Sequence, residues 1–241
     1  MNPFQKGLTF MHTGHIGDII AFLPVYYMME GTHLVIRDDD GMEPMSGFKY
    51  NSLKPLLESQ GIRVSFNDAV CVDYDMSGWR ECYSDHISLT DSQARYVNLI
   101  PRNYGKLTIN QPWIRVEDDP NGKNRVIFNR THRYRNPNFD WKKVLKHFGR
   151  TSLFVGRKEE HEDFCKEIGN VEHYPTENCL DVAKVISASD YFVGNQSSSF
   201  WIAAGLRKHL LQETFETAPN SVVIYEGANY CTDGKIDFNA L

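Results

Sequence analysis

Paired or metal-spaced cysteines are missing from this chain. Its five cysteines, Cys71, Cys82, Cys165, Cys179 and Cys231, are odd in number and scattered, with no C-x-x-C and no alternating Cys/His pattern. That spacing excludes a disulfide framework and gives no set of structural zinc ligands, so the thiols read as reduced. Also absent is any apolar run approaching the ~18 residues of a membrane span, and the first seven residues carry no secretory-type apolar stretch. A cytoplasmic protein without a transmembrane segment is expected. Positive charge is not in excess either: the formal net charge of −5 gives no general footprint for nucleic acid. A local Arg/Lys face would still suffice for a nucleic-acid acceptor. No Gly-Lys-Ser/Thr ending, no G-x-G-x-x-G and no Ser-His-Asp or Cys-His arrangement is found, which removes ATPase, dinucleotide and covalent-nucleophile readings.

What is present is an ordinary globular composition, 41% hydrophobic and 24% charged over 241 residues, enough for one large domain or two small ones. Short apolar runs alternate with helical patterns, which predicts α/β architecture with parallel sheets. Strands are expected at 8–12, 33–37 and 62–66. Helices are expected at 18–29, at 52–60 with Ser52 as cap and Pro55 in the first turn, and from about 90 to 100. Residues 38–47 read as a charged loop, 73–86 show no clear pattern, and 101–112 read as a connection. Residues 116–124, nearly devoid of apolar side chains, are the best linker. Beyond them strands are expected at 125–129, 152–155, 190–193 and 222–225, with helices at 140–148, 159–168, 180–188 and 197–206. The expected fold is therefore two Rossmann-like parallel-sheet domains, 1–116 and 117–241, facing a cleft. Open sheets of this kind bind ligands at the carboxyl ends of their strands.

Three loops at such strand ends carry candidate chemistry. Gly14-His15-Ile16-Gly17-Asp18 turns from a strand into a helix, allowing close backbone approach and placing Asp18 near a helix start. Helix stabilisation by that carboxylate and a direct binding or catalytic role are both open. Gly194-Asn195-Gln196-Ser197-Ser198-Ser199 follows a strand and opens a small-residue helix, an arrangement of N–H groups and hydroxyls suited to a diphosphate. Ser197 also reads as a cap. Arg130, Arg133 and Arg135, three arginines within six residues, can balance phosphate charge through planar donor forks. Gly156-Arg157-Lys158-Glu159-Glu160 adds a carboxylate able to accept ribose hydroxyls. His12 and His15 flank the first turn, and the other histidines, His86 among them, lack metal-ligand spacing.

Taken in order, Gly14-His15-Ile16-Gly17-Asp18 through Pro24, Gly156 to Glu160, and the serine-rich Gly194 loop followed by Ala203-Ala204 resemble glycosyltransferase family 9, the heptosyltransferase-like enzymes of the GT-B fold. The resemblance implies transfer of a sugar from a nucleotide-diphosphate-sugar donor to an acceptor hydroxyl, with no required metal or cofactor. It implies Asp18 as general base and an acceptor-side loop of Gly14, His15 and Gly17. Donor contacts are implied from Arg133 or Arg135, from Glu160 and from the backbone of the loop at Gly194, and the loop residues read above extend the expected donor set to Arg130, Asn195, Ser197, Ser198 and Ser199. The acceptor would be a glycan, a lipid-linked group or another hydroxyl. The family usually has Asp-Thr/Ser-Gly where this chain has Gln196-Ser197-Ser198, and no particular donor sugar follows. A non-hydrolysing nucleotide-sugar epimerase and a catalytically silent sugar-nucleotide or glycan-binding module are the alternatives.

Overall fold

The computed structural model describes residues 7–38, 45–84, 87–102, 106–218, 222–231, 233 and 235–236. Most of the charged loop expected at 38–47, and His86, lie outside them. The chain divides into two compact units, Met1–Ile109 and Asn110–Leu241, each built on a wholly parallel sheet.

The first unit contains β1 (Leu8–His12), α1 (Ile16–Met28), β2 (Gly31–Ile36), α2 (Gly47–Ser59), β3 (Arg63–Phe66), β4 (Tyr74–Asp75) and α3 (Leu89–Tyr96). The strands run in the order β3-β2-β1-β4. Consecutive residues of β1 and β2 are buried, Phe10 to His12 and His33 to Ile36, as parallel strands covered on both faces require. Phe10 anchors this core, its ring centroid 5.4 Å from Phe22, 5.6 Å from Tyr26 and 5.1 Å from Tyr74. Pro24 lies inside α1, where it removes a helical donor. One turn earlier the Thr90 hydroxyl of α3 donates to the Ala21 carbonyl at 2.8 Å, tying the two helices together beside the proline.

The second unit contains β5 (Val126–Asn129), α4 (Trp141–Phe148), β6 (Ser152–Val155), α5 (Lys158–Glu167), β7 (Glu172–Tyr174), α6 (Cys179–Ala188), β8 (Tyr191–Asn195), α7 (Ser198–Gly205), β9 (Leu210–Glu213) and β10 (Ala228–Cys231). Its order is β10-β9-β8-β5-β6-β7. Phe128, Phe139, Trp141, Phe154 and Phe164 form the centre of its core. The α4 stripe of Trp141, Val144, Leu145 and Phe148 faces that core, and Asp140 caps the helix by accepting from the Lys143 amide.

Several expected elements are corrected. The second helix begins at a Ser46 cap and not at Ser52, which puts Pro55 inside the helix. Residues 222–225 form no strand; the Tyr230 hydroxyl instead bridges the Val223 amide and carbonyl at 3.0 and 2.7 Å. Strands β4, β7, β9 and β10 are additions. Residues 116–124 are not a free tether, since the Asp119 amide donates to the Lys184 carbonyl of α6 at 3.1 Å. A Cβ at Gly122 would run into the Val185 carbonyl.

Candidate active site

Strand order locates the candidate loops. In the first sheet β2 and β4 flank β1, and in the second β6 and β8 flank β5. The chain therefore reverses its direction of travel across each sheet at these strands, where open α/β sheets hold ligands. The Gly14–Asp18 turn follows β1. The arginine and serine loops follow β5 and β8.

At the first of these points β1 ends in His12, whose ring is fully buried and accepts the Gly14 amide on Nδ1 at 2.8 Å. A Cβ at Gly14 would lie 2.5 Å from His12 Cε1 and 2.7 Å from Asp18 Cβ, so the turn closes only around glycine. Burial holds the His12 pKa down at about 4, partly offset by the nearby Asp18 charge. His12 is therefore neutral at physiological pH. Asp18 is buried, and its Oδ2 accepts the His15 amide at 3.0 Å and the Arg80 guanidinium at 2.7 Å. Its Oδ1 has no hydrogen-bond partner among the described residues. The Asp18 carbonyl accepts Gln93 Nε2 at 3.0 Å. Helix capping and an available carboxylate oxygen thus coexist in one side chain.

At the second point three polar side chains act as scaffold. Asn129 donates to the Val155 carbonyl at 2.8 Å and accepts Ser197 Oγ at 2.7 Å. Asn195 accepts the Thr131 amide at 3.0 Å and donates to the carbonyls of Thr131 and Arg133 at 3.2 and 2.6 Å. Gln196 accepts the Phe215 amide at 2.8 Å and donates to the Ala218 carbonyl, fixing the segment after β9. Gly194 is required where it stands, since a Cβ would lie 2.7 Å from the Phe192 ring and 2.9 Å from the Asn129 carbonyl.

The three arginines do not share one role. Arg130 is buried, bound by Glu213 through Nε at 3.0 Å and Nη2 at 3.1 Å and by Glu167 through Nη1 at 2.8 Å. Arg135 pairs with Glu167 at 2.9 Å. Their guanidinium groups are committed to carboxylates, whereas Arg133 is exposed, stacked over Tyr134 at 5.1 Å. Glu160 is likewise committed locally: its carboxylate takes the Arg157 amide at 3.1 Å and the Arg157 guanidinium at 2.8 Å. Each oxygen retains a second lone pair for a hydroxyl donor.

What stays available is the start of α7. Ser197 caps it, accepting the Phe200 amide at 3.3 Å, while the hydroxyls of Ser198 and Ser199 make no hydrogen bond among the described residues. Free amides, two hydroxyls and the positive end of a helix dipole make an anion cradle. Sequence reasoning missed Arg80, Gln93 and Glu213. Arg80 and Gln93 lie far from Asp18 along the chain, and Glu213 sits in a strand that no alternation announced.

All five cysteines are free thiols. Among the described residues no group of three His, Cys, Asp or Glu side chains is placed to hold a metal ion, and no helix is long and apolar enough to cross a membrane.

No family model and no curated protein matches this chain. Solved structures do. The Escherichia coli heptosyltransferase WaaC, solved with ADP-2-deoxy-2-fluoro heptose, superposes with a TM-score of 0.60 at 11% identity, over 92% of each chain. The glycosyl transferase family 9 structure from Veillonella parvula gives 0.53 at 10% identity, over 96% of this chain and 87% of the other. The E. coli ADP-heptose LPS heptosyltransferase II gives 0.52 at 12%, over 93% and 90%. At these identities the likeness is one of fold, two Rossmann-like parallel-sheet units of GT-B type.

Proposed function

We propose that this chain is a glycosyltransferase that moves a sugar from a nucleotide-diphosphate donor to an acceptor hydroxyl, by inverting transfer with Asp18 as base. One observation carries the reading: each sheet has its reversal of strand order occupied by complementary chemistry. An unengaged carboxylate oxygen stands at the first, and an unengaged helix N-terminus with two serine hydroxyls at the second. WaaC binds an ADP-sugar on the same fold, which supports a nucleotide-sugar donor.

In the proposed step the acceptor hydroxyl gives its proton to Asp18 Oδ1 as its oxygen bonds to the anomeric carbon. The bond from that carbon to the diphosphate oxygen breaks, its electron pair leaving with the nucleoside diphosphate. The amides and hydroxyls of Ser198 and Ser199, together with Arg133, receive the developing phosphate charge. Gly14, His15 and Gly17 line the acceptor side, and Glu160 offers its remaining lone pairs to a donor hydroxyl. Arg130, Arg135, Gly194, Asn195 and Ser197 serve the donor by shaping the loops that hold it. No covalent intermediate and no metal ion enters this step.

Thermal shift with ADP, UDP, GDP and CDP tests donor binding. A ligand at 100 times its Kd stabilises the folded state by about 2.7 kcal/mol, and the absence of any shift with all four rejects the reading. Asp18→Asn is expected to retain the shift and lose transfer by a factor on the order of 100 or more. Binding without turnover on any acceptor would instead indicate a silent nucleotide-binding module.

A further inference from the structure

Asp18 is held by more than a helix cap needs. Capping requires one amide, and the His15 N–H supplies it to Oδ2 at 3.0 Å. Arg80 adds a second, charged donor to the same oxygen at 2.7 Å. It arrives from the short turn Trp79–Cys82 that follows β4, the strand bordering β1 on the side where the strand order reverses. Its guanidinium lies over the buried Trp79 ring, 4.5 Å from the centroid, which restricts the directions in which it can point. From α3, the fully buried Gln93 fixes the Asp18 carbonyl at 3.0 Å. Two segments distant in sequence join the local His15 amide on one residue, and the outcome is asymmetric: Oδ2 is filled and Oδ1 is open.

We propose that Arg80 is a positioning residue for transfer, locking the Asp18 carboxylate in the rotamer that presents Oδ1, and no other oxygen, to the acceptor hydroxyl. This rests on the glycosyltransferase reading above. When Oδ1 takes the proton, the neutral acid keeps Oδ2 as a carbonyl-type acceptor. The contacts from His15 and Arg80 then persist through the reaction, and the side chain need not turn.

The test measures nucleoside diphosphate release by the full chain from ADP-heptose, UDP-glucose, UDP-N-acetylglucosamine and GDP-mannose, across a panel of mono- and oligosaccharide acceptors. Arg80 is half exposed, so Arg80→Ala is expected to keep its melting temperature and its response to ADP. Its kcat should fall on the order of 100-fold with donor KM unchanged. Millimolar guanidinium chloride should restore part of kcat to this variant where equal sodium chloride does not. Arg80→Met, which retains the apolar stem over Trp79, should show the same loss if the alanine variant misfolds. The double variant Asp18→Asn with Arg80→Ala should be no slower than Asp18→Asn alone, because Arg80 acts through Asp18. Wild-type transfer with an unimpaired Arg80 variant, or losses that multiply in the double variant, would overturn the role of Arg80 alone. No release by the wild type from any pair overturns the glycosyltransferase reading itself.

Discussion

Glu213 shows how much one side chain can hold in place. It is fully buried, and its two oxygens receive four donors: Arg130 Nε and Nη2, Trp141 Nε1 at 2.8 Å and the Asn136 amide at 2.8 Å. The loop of Arg130 to Asn136 is thereby fastened from below. Glu213→Gln retains the shape but turns an NH₂ toward donors and leaves Arg130 with Glu167 as its one carboxylate partner among the described residues, so it should cost about 3–5 kcal/mol in urea denaturation. His12 makes a pH-dependent contribution of known sign. Its folded pKa of about 4 lies below the unfolded value near 6.5, so between those values the unfolded chain binds the extra proton. Stability should fall as the pH drops from 6.5 to about 4, by about 1.4 kcal/mol per unit, and level off below. His12→Asn, which removes the titration, should show a flatter profile than wild type over that window. An unchanged slope would remove His12 as its source.

The start of α7 separates scaffold from site within a single helix turn. Ser197 is tied to Asn129 Oδ1 and to the Phe200 amide, so Ser197→Ala should lower stability by about 1 kcal/mol. Ser198→Ala and Ser199→Ala remove no internal hydrogen bond and should leave the ligand-free melting temperature unchanged while shrinking the ADP-induced shift. Equal effects from all three would show that the hydroxyls belong to the fold alone. The sequence announced this helix, and β1, β5, β6 and β8, because their apolar runs are continuous and end in glycine or polar turns. It did not announce β7 or β10, short and partly exposed edge strands without a continuous run of large apolar residues. Nor did it announce β9, whose Gln212 and Glu213 are buried among partners that include Thr214, Arg130, Trp141 and Asn136. The run at 222–225 gave a false strand, since the amide and carbonyl of Val223 are taken by the Tyr230 hydroxyl and not by a neighbouring strand. For the site, Asp18, the serines and the arginines were legible as types at strand ends. Which arginine is committed and which oxygen of Asp18 is open depended on Glu167, Glu213 and Arg80, partners that only the folded chain brings near.

At the scale of the molecule, the division between the units tests how a chain assigns its connecting segment. The fall in apolar content at 116–124 suggested a boundary at residue 116, yet Trp113 and Ile114 are buried and both donate their amides to the Gly205 carbonyl, at 3.0 and 3.1 Å. A Cβ at Gly205 would lie 2.6 Å from Ile114 Cδ1, so this glycine at the end of α7 is what lets the segment dock. Composition marks where apolar residues stop, but it does not say which sheet the last pair before the gap will cover. Each of these side chains contributes about 1.5–3 kcal/mol on burial, and a whole domain has a margin of only ~5–15 kcal/mol. A chain of residues 110–241 should therefore fold cooperatively, with ADP raising its melting temperature, whereas 117–241 should melt far lower or fail to fold. Circular dichroism melts of the two, with and without ADP, decide it. Equal stability would return residues 110–116 to the role of a tether. An ADP response kept by 110–241 would place donor binding wholly in the second unit, leaving Asp18, held in position by Arg80, to act on the acceptor.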